Sequence, residues 1–298
     1  MDAIDIKPET STLPKRVFGK TDERIPILGL GTAPAGMGLD DFDAVDLYHA
    51  AIDNGVTYLD TAPGYERAQI QLGEVLRERR DEIFLVTKTF ASDASSAVEI
   101  LEQSLRDLRT DCVDVTFVHS VGSQDLEEIL SKDGALSGLR SAQARGLTRY
   151  VGFTAHHWPA KSERLLREAE IDAVMFALNC VDKHTYDFQG GPLMLAREAN
   201  VGVAAMKVFG GAPGMKYEAP TRSLMAETGQ DHERAMHYAL SLPGVSIAVV
   251  GMYTESEIVE NVGYARSLEV MSAPDLLRAE FAGRKLAQEW KDHFGPVS

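Results

Sequence analysis

Eight times along this chain, a short run of β-branched and other apolar residues gives way to a longer segment with helical periodicity. That alternation limits the possible folds more than any single motif does. The strand-like runs fall at 27–31, 56–60, 83–88, 113–118, 148–153, 173–176, 202–206 and 246–250. Helical segments follow near 43–54, 70–79, 95–108, 136–145, 159–169, 192–199, 232–240 and 254–265. In the first of these, Ala44, Leu47, Ala51 and Ile52 share a face, and Gly55 suits a C-terminal cap. Eight successive β–α units fit a closed (β/α)8 TIM barrel better than an open sheet. Outside that count, 16–26 reads as an N-terminal hairpin and 274–293 as an extra C-terminal helix. Residues 1–14 read as a loose, disordered tail, and 15–298 as one domain.

Composition narrows the function classes. With 44% of its 298 residues apolar and 25% charged, the chain can bury a sizeable core. A formal charge of −15 argues against nucleic acid, whose binding depends on Lys and Arg at phosphates. It leaves room for a small phosphorylated ligand held by backbone N–H groups. No apolar run reaches the ~20 residues needed to span a bilayer, and the first residues lack the apolar stretch of a secretory signal. Two cysteines, Cys112 and Cys180, are too few for a disulfide framework and read as buried free thiols. These features together give the expectation of a cytoplasmic protein without membrane or nucleic-acid partners. No zinc-type spacing occurs, so no metal is expected, and oligomeric state leaves no signal.

Chemistry-bearing residues gather where the strand-like runs end. Asp60 closes the second run, Tyr65 follows it, Lys88 closes the third, and His119 follows the fourth. In a parallel barrel such positions converge on one mouth, where barrel enzymes place their chemistry. Reducing a carbonyl needs a hydride for carbon and a proton for oxygen. Tyr65 can donate that proton, although a free phenol near pKa ~10 is a reluctant acid. A Lys88 cation alongside is expected to lower that value, with Asp60 holding Lys88 charged and His119 donating to the substrate oxygen. Taken singly, each has a plainer use, such as a helix cap for Asp60 or a solvated loop position for Lys88. The set in sequence order favours the functional reading.

The motifs Leu59-Asp60-Thr61-Ala62-Pro63-Gly64-Tyr65 with Gly73-Glu74, Val86-Thr87-Lys88-Thr89 and Phe117-Val118-His119-Ser120 resemble the aldo-keto reductases. So does the late stretch 251–261, and the likeness covers roughly 18–265. The resemblance implies that Tyr65 is the general acid, supported by Lys88 and Asp60, in an NAD(P)H-dependent reduction of an aldehyde or ketone to an alcohol. No GxGxxG follows the first strand, so the dinucleotide is expected across the barrel mouth instead. By resemblance Thr154 meets the carboxamide, Ala155 replaces the usual asparagine with His156 compensating, and Asn179 fills the sixth-strand amide position. Lys207, Gly210 and Gly211 approach the pyrophosphate, while Glu260 and Asn261 contact adenine. Gly251 and Thr254 belong to the same cofactor segment. NADP-selective relatives carry cationic and hydroxyl groups where Gly251 and Met252 stand, and an arginine at Glu257. The cofactor is therefore NADP or NAD, with Glu257 suited to a free 2′-hydroxyl.

Glu66-Arg67 after the tyrosine departs from the family's glycine and small polar residue, and reads as a solvated loop. Residues 210–230 read as a lid, with Phe90 and Trp158 as apolar walls. Two rival readings are a nicotinamide-binding regulatory or redox-sensing subunit and a Schiff-base aldolase using Lys88. The substrate's identity is not legible from one chain.

Overall fold

The computed structural model describes residues 12–217 and 223–297. Strands β1 (Lys15–Val17) and β2 (Arg24–Pro26) form the expected antiparallel hairpin, with Arg16 opposite Ile25. Eight parallel strands then close into a barrel: β3 (Leu28–Gly31), β4 (Tyr58–Asp60), β5 (Phe84–Thr89), β6 (Val113–Val118), β7 (Thr148–Ala155), β8 (Ala173–Ala177), β9 (Gly202–Met206) and β10 (Val245–Gly251). Each pairs with its sequence neighbours, and β10 returns to pair with β3. This is the (β/α)8 barrel that the alternation called for. A C-terminal helix, Ala273–Trp290, follows the last unit.

The strands read as apolar runs because both faces are covered. Their outer side packs on the helices through residues such as Leu59, Leu85, Val118 and Phe153. Inside the barrel a second cluster holds Phe18, Tyr58, Phe84, Val86, Phe117, Met175 and Met206. Phe18 comes from the hairpin and plugs the lower end, its ring 6.3 Å from Tyr58 and 6.0 Å from Phe84. Burying each of these aromatic side chains contributes about 1.5–3 kcal/mol. The hairpin is anchored by Arg16, which donates to Leu240 O at 2.7 Å and Val245 O at 2.8 Å.

Residues 1–11 of the expected tail lie outside the described residues. Residues 12–14 do not continue it, since Leu13 is buried and Pro14 O accepts from Ile27 N at 2.9 Å. Short helices at Ala33–Gly38 and Leu126–Leu130 occupy loops where the sequence offers too few turns for a periodic signal. Cys112 and Cys180 are free, but only half-buried. Among the described residues no helix is long and apolar enough to cross a membrane.

Candidate active site

Side chains two residues apart share one face of a strand. Asp60 follows Tyr58, Lys88 follows Val86, and His119 follows Phe117, so each continues a row of interior residues towards the C-terminal mouth. There Lys88 Nζ donates to Asp60 Oδ2 at 2.6 Å and to Thr61 O at 3.0 Å, with both side chains buried. Burial pushes the Asp60 carboxyl up and the Lys88 ammonium down, each opposed by the partner's charge. Lys88 Nζ also lies 4.8 Å from the centroid of the Tyr65 ring.

The expectation that Lys88 lowers the Tyr65 pKa needs correction. Burial pushes this phenol well above its ordinary value, with the charge of Asp60 and the nearby Tyr217 acting in the same direction. Asp60 cancels much of the Lys88 charge at the phenol, because the two opposite charges are so close. The Tyr65 phenol therefore keeps its proton at neutral pH. His119 stands beside it, with ring centroids 6.3 Å apart and nearly perpendicular. Burial and the charge of Lys88 hold the His119 imidazole well below its usual range, so the ring is neutral. Its Nδ1 is buried without a hydrogen-bond partner among the described residues. Phe90 covers the ring at 4.3 Å and is half-exposed.

The loop carrying Tyr65 is braced from two sides. Gly36 packs so closely that a Cβ would meet Ala68 and lie 2.7 Å from Tyr65 O. Arg67 forms a fork onto Asp41, Nε to Oδ1 at 2.6 Å and Nη2 to Oδ2 at 2.5 Å. Both members of the pair read as a solvated loop, Glu66 and Arg67, are exposed, and Arg67 is in addition paired with Asp41. Gly36→Ala should cost about 1–3 kcal/mol by overpacking and should lower kcat by shifting Tyr65. Urea unfolding and steady-state kinetics would check both effects, and an unchanged kcat would show that the Tyr65 loop absorbs the extra methyl.

Tyr65 and Asp60 line a cavity of about 330 Å³ that runs from the mouth towards the last β–α units. Of the expected cofactor residues, His156, Lys207, Gly211, Gly251, Glu257, Glu260 and Asn261 line it as well. Thr254 caps the helix Glu255–Arg266, accepting from Glu257 N at 3.2 Å. Glu257 Oε2 in turn accepts from Tyr253 N at 2.6 Å, which fixes the carboxylate on the wall. Thr154 and Asn179 are differently placed. The Thr154 hydroxyl accepts from Ser120 N at 2.8 Å. Asn179 spends its amide on Asp182 Oδ2 and Lys207 O, and its carbonyl on Val181 N and Asp182 N. Neither lines the cavity. Gly210, with φ 80°, forms a turn packed on Trp290, and Trp158 lies under Lys161 Nζ at 4.4 Å, also away from the cavity.

The sequence reading missed the tyrosines. Tyr217, Tyr253 and Tyr264 all line the cavity, with Tyr217 accepting from Lys207 Nζ at 2.6 Å and Tyr264 donating to Glu260 at 2.6 Å. The i, i+4 spacing of Glu260 and Tyr264 is the one signal that pointed to such a contact. Tyr217 and Ser223 come from the stretch read as a lid, of which 218–222 lies outside the described residues.

The wall suits a dinucleotide. Asn261 Nδ2 donates to Glu257 O at 2.7 Å, while its Oδ1 is buried without a partner among the described residues. That unused acceptor, next to Glu260, matches the exocyclic amine of adenine. Lys207 offers a cation to a pyrophosphate, with the positive-φ Gly211 beside it on the cavity wall.

The aldo/keto reductase family model matches residues 27–273. This chain belongs to that family. Among relatives of the aldo/keto reductase, pyridoxal 4-dehydrogenase of Microbacterium luteolum is 24% identical over 315 residues, covering 83% of this chain and 92% of that one. Methylglyoxal reductase DkgB of Escherichia coli O157:H7 is 24% identical over 251 residues, covering 83% and 89%. An aldo-keto reductase of Klebsiella pneumoniae, solved in complex with NADPH, shares the fold at a TM-score of 0.71 and 19% identity, covering 91% of this chain and 95% of that one. The family uses a nicotinamide cofactor, and this aldo/keto reductase is an oxidoreductase.

Proposed function

We propose that this aldo/keto reductase reduces a small aldehyde or ketone to an alcohol, with Tyr65 as the proton donor. The observation that carries the reading is the buried Lys88–Asp60 pair beneath the Tyr65 ring, at the wall of the mouth cavity. A bound nicotinamide supplies the hydride. Tyr65 gives its proton to the carbonyl oxygen, and neutral His119 donates a hydrogen bond that fixes that oxygen. Lys88 and Asp60 hold each other and set the field under the phenol. Asn261 and Glu260 would hold the adenine, and Lys207 with Gly211 the pyrophosphate. A Schiff-base role for Lys88 is disfavoured, because its amine is spent on Asp60 and Thr61 and is only 1% exposed.

Glu257 adds a cofactor preference. A 2′-phosphate beside its fixed carboxylate would be repelled, whereas a free 2′-hydroxyl could donate to it. NADH is therefore expected to give the higher kcat/KM, and a roughly hundredfold preference for NADPH would contradict the assignment. The reading as a whole is tested by anaerobic NADH and NADPH oxidation against a panel of carbonyls. Turnover with a small aldehyde is expected. Tight nicotinamide binding with no turnover on any carbonyl would favour a regulatory or redox-sensing subunit.

A further inference from the structure

At the end of the barrel opposite the mouth, a second cavity of about 330 Å³ opens between the hairpin and the starts of β9 and β10. Arg16 and Arg197 both line it, and no carboxylate does. Arg16, on β1, is half-buried, and its Nη1 is spent on Leu240 O and Val245 O. Its Nε and Nη2 make no hydrogen bond among the described residues. Arg197 stands in the last turn of the helix Gly191–Glu198. Its stem lies across Gly244, where a Cβ would come 2.3 Å from Arg197 Cγ, and Gly244 is itself part of the cavity wall. Packing therefore lays this arginine along the cavity. Neither guanidinium forms an ion pair among the described residues, although the chain has 45 acidic residues against 30 basic ones. Other arginines at this end of the barrel are matched: Arg140 with Asp172 and Arg149 with Asp114, each at 2.7 Å. Burial lowers the Arg16 pKa with no carboxylate opposing it, whereas buried charges are ordinarily paired.

Two guanidiniums on one cavity, with no counter-charge beside them, call for an anion. We propose that this lower cavity binds a phosphate group, free or carried on a small ester, between Arg16 and Arg197. Each guanidinium is a planar fork that takes two oxygens at once. A tetrahedral phosphate offers an oxygen edge to each fork, while a carboxylate has a single edge. The charge of a phosphate monoester at neutral pH, about −1.5 to −2, matches the two cations. The cavity lies at the small end of those that hold organic ligands, which leaves space for a short carbon chain, and Asn200 adds an amide to the wall. The bound group would tie β1 to the helix before β9 and, through Arg16, to the carbonyls at the start of β10. Phe18, two residues along from Arg16, plugs the barrel, so a filled site should hold the hairpin down and raise thermal stability. The mouth is not involved, and the site stands apart from the reductase reading.

The test is isothermal titration of the whole protein with inorganic phosphate, glycerol 3-phosphate, succinate and glycerol. Ionic strength is matched throughout, and saturating NADH or NADPH is present to fill the mouth. Both phosphates should bind with a Kd of about 1 mM or tighter, and glycerol should not bind. Arg197→Gln should weaken that affinity about tenfold, the worth of one charge-assisted hydrogen bond. Arg197 bonds to no other side chain among the described residues, so this variant should keep the parent's Tm in phosphate-free buffer. The rise in Tm that phosphate gives the parent should shrink in it. Arg197→Lys, which keeps the charge without the fork, should fall between. Glycerol 3-phosphate binding tighter than inorganic phosphate would identify an ester as the ligand, and equal binding would identify free phosphate. Unchanged affinity in Arg197→Gln, with the loss appearing in Lys207→Gln instead, would return the phosphate to the cofactor cavity and overturn the proposal. Succinate binding as tightly as glycerol 3-phosphate would overturn it too, as would no binding of either phosphate up to about 20 mM.

Discussion

Lys88→Met should destabilise the fold by about 3–5 kcal/mol, because it leaves the Asp60 carboxylate buried and unpaired. Asp60 already has one oxygen, Oδ1, without a hydrogen-bond partner among the described residues, and Lys88 is the only side chain seen bonded to the other. Adding Asp60→Asn should recover much of the loss, since the double variant buries no lone charge. The pH dependence has a definite sign. Burial raises the Asp60 pKa in the folded state, and losing Lys88 removes the opposing charge. A raised folded pKa means that the destabilisation is present above that value and relieved below it, as the carboxyl takes up a proton. The deficit of Lys88→Met should therefore narrow as the solution is made mildly acidic. Urea unfolding of both variants at several pH values checks this. A single variant as stable as the parent would show that water reaches Asp60 freely.

Tyr65→Phe should lower kcat for carbonyl reduction by about 10²- to 10⁴-fold, the usual worth of a positioned general acid. The ring and its contact with the Lys88 cation are kept, so nicotinamide Kd should change little. The phenol itself has a pH signature. Its pKa is raised well above the ordinary value by burial, and a general acid acts only while it holds its proton. Reduction should stay flat through neutral and mildly alkaline pH and fall only where Tyr65 ionises. Alcohol oxidation, which needs the phenolate as base, should rise with pH over the same range. A reduction rate that falls through neutral pH would assign the proton to another group.

The barrel was legible because a parallel strand buried on both faces leaves a continuous apolar run, and eight such runs leave few alternatives. The residues of the candidate site were legible for a related reason: Asp60, Lys88 and His119 each extend an interior row by one polar residue. What the sequence could not carry was the outcome of long-range packing. The sign of the Tyr65 pKa shift depends on burial and on how closely Asp60 neutralises Lys88. Asn179 has an amide of the right type, but Asp182, Val181 and the carbonyl of Lys207 consume it. Tyr217, Tyr253 and Tyr264 reach the cavity from a loop, a helix entry and a helix face that meet only in the folded chain. Arg67 looked like surface decoration because its partner, Asp41, lies on a separate helix.

Hydride transfer from the nicotinamide to the carbonyl carbon can be followed with deuterium. The enzyme would be given reduced nicotinamide labelled at the transferring position and a small aldehyde, without oxygen, and the alcohol formed would be analysed by mass spectrometry and NMR. One deuterium on the former carbonyl carbon for each nicotinamide oxidised is the outcome expected, with the rate collapsing in Tyr65→Phe. Unlabelled alcohol, or nicotinamide consumed without alcohol, would contradict direct reduction at this site.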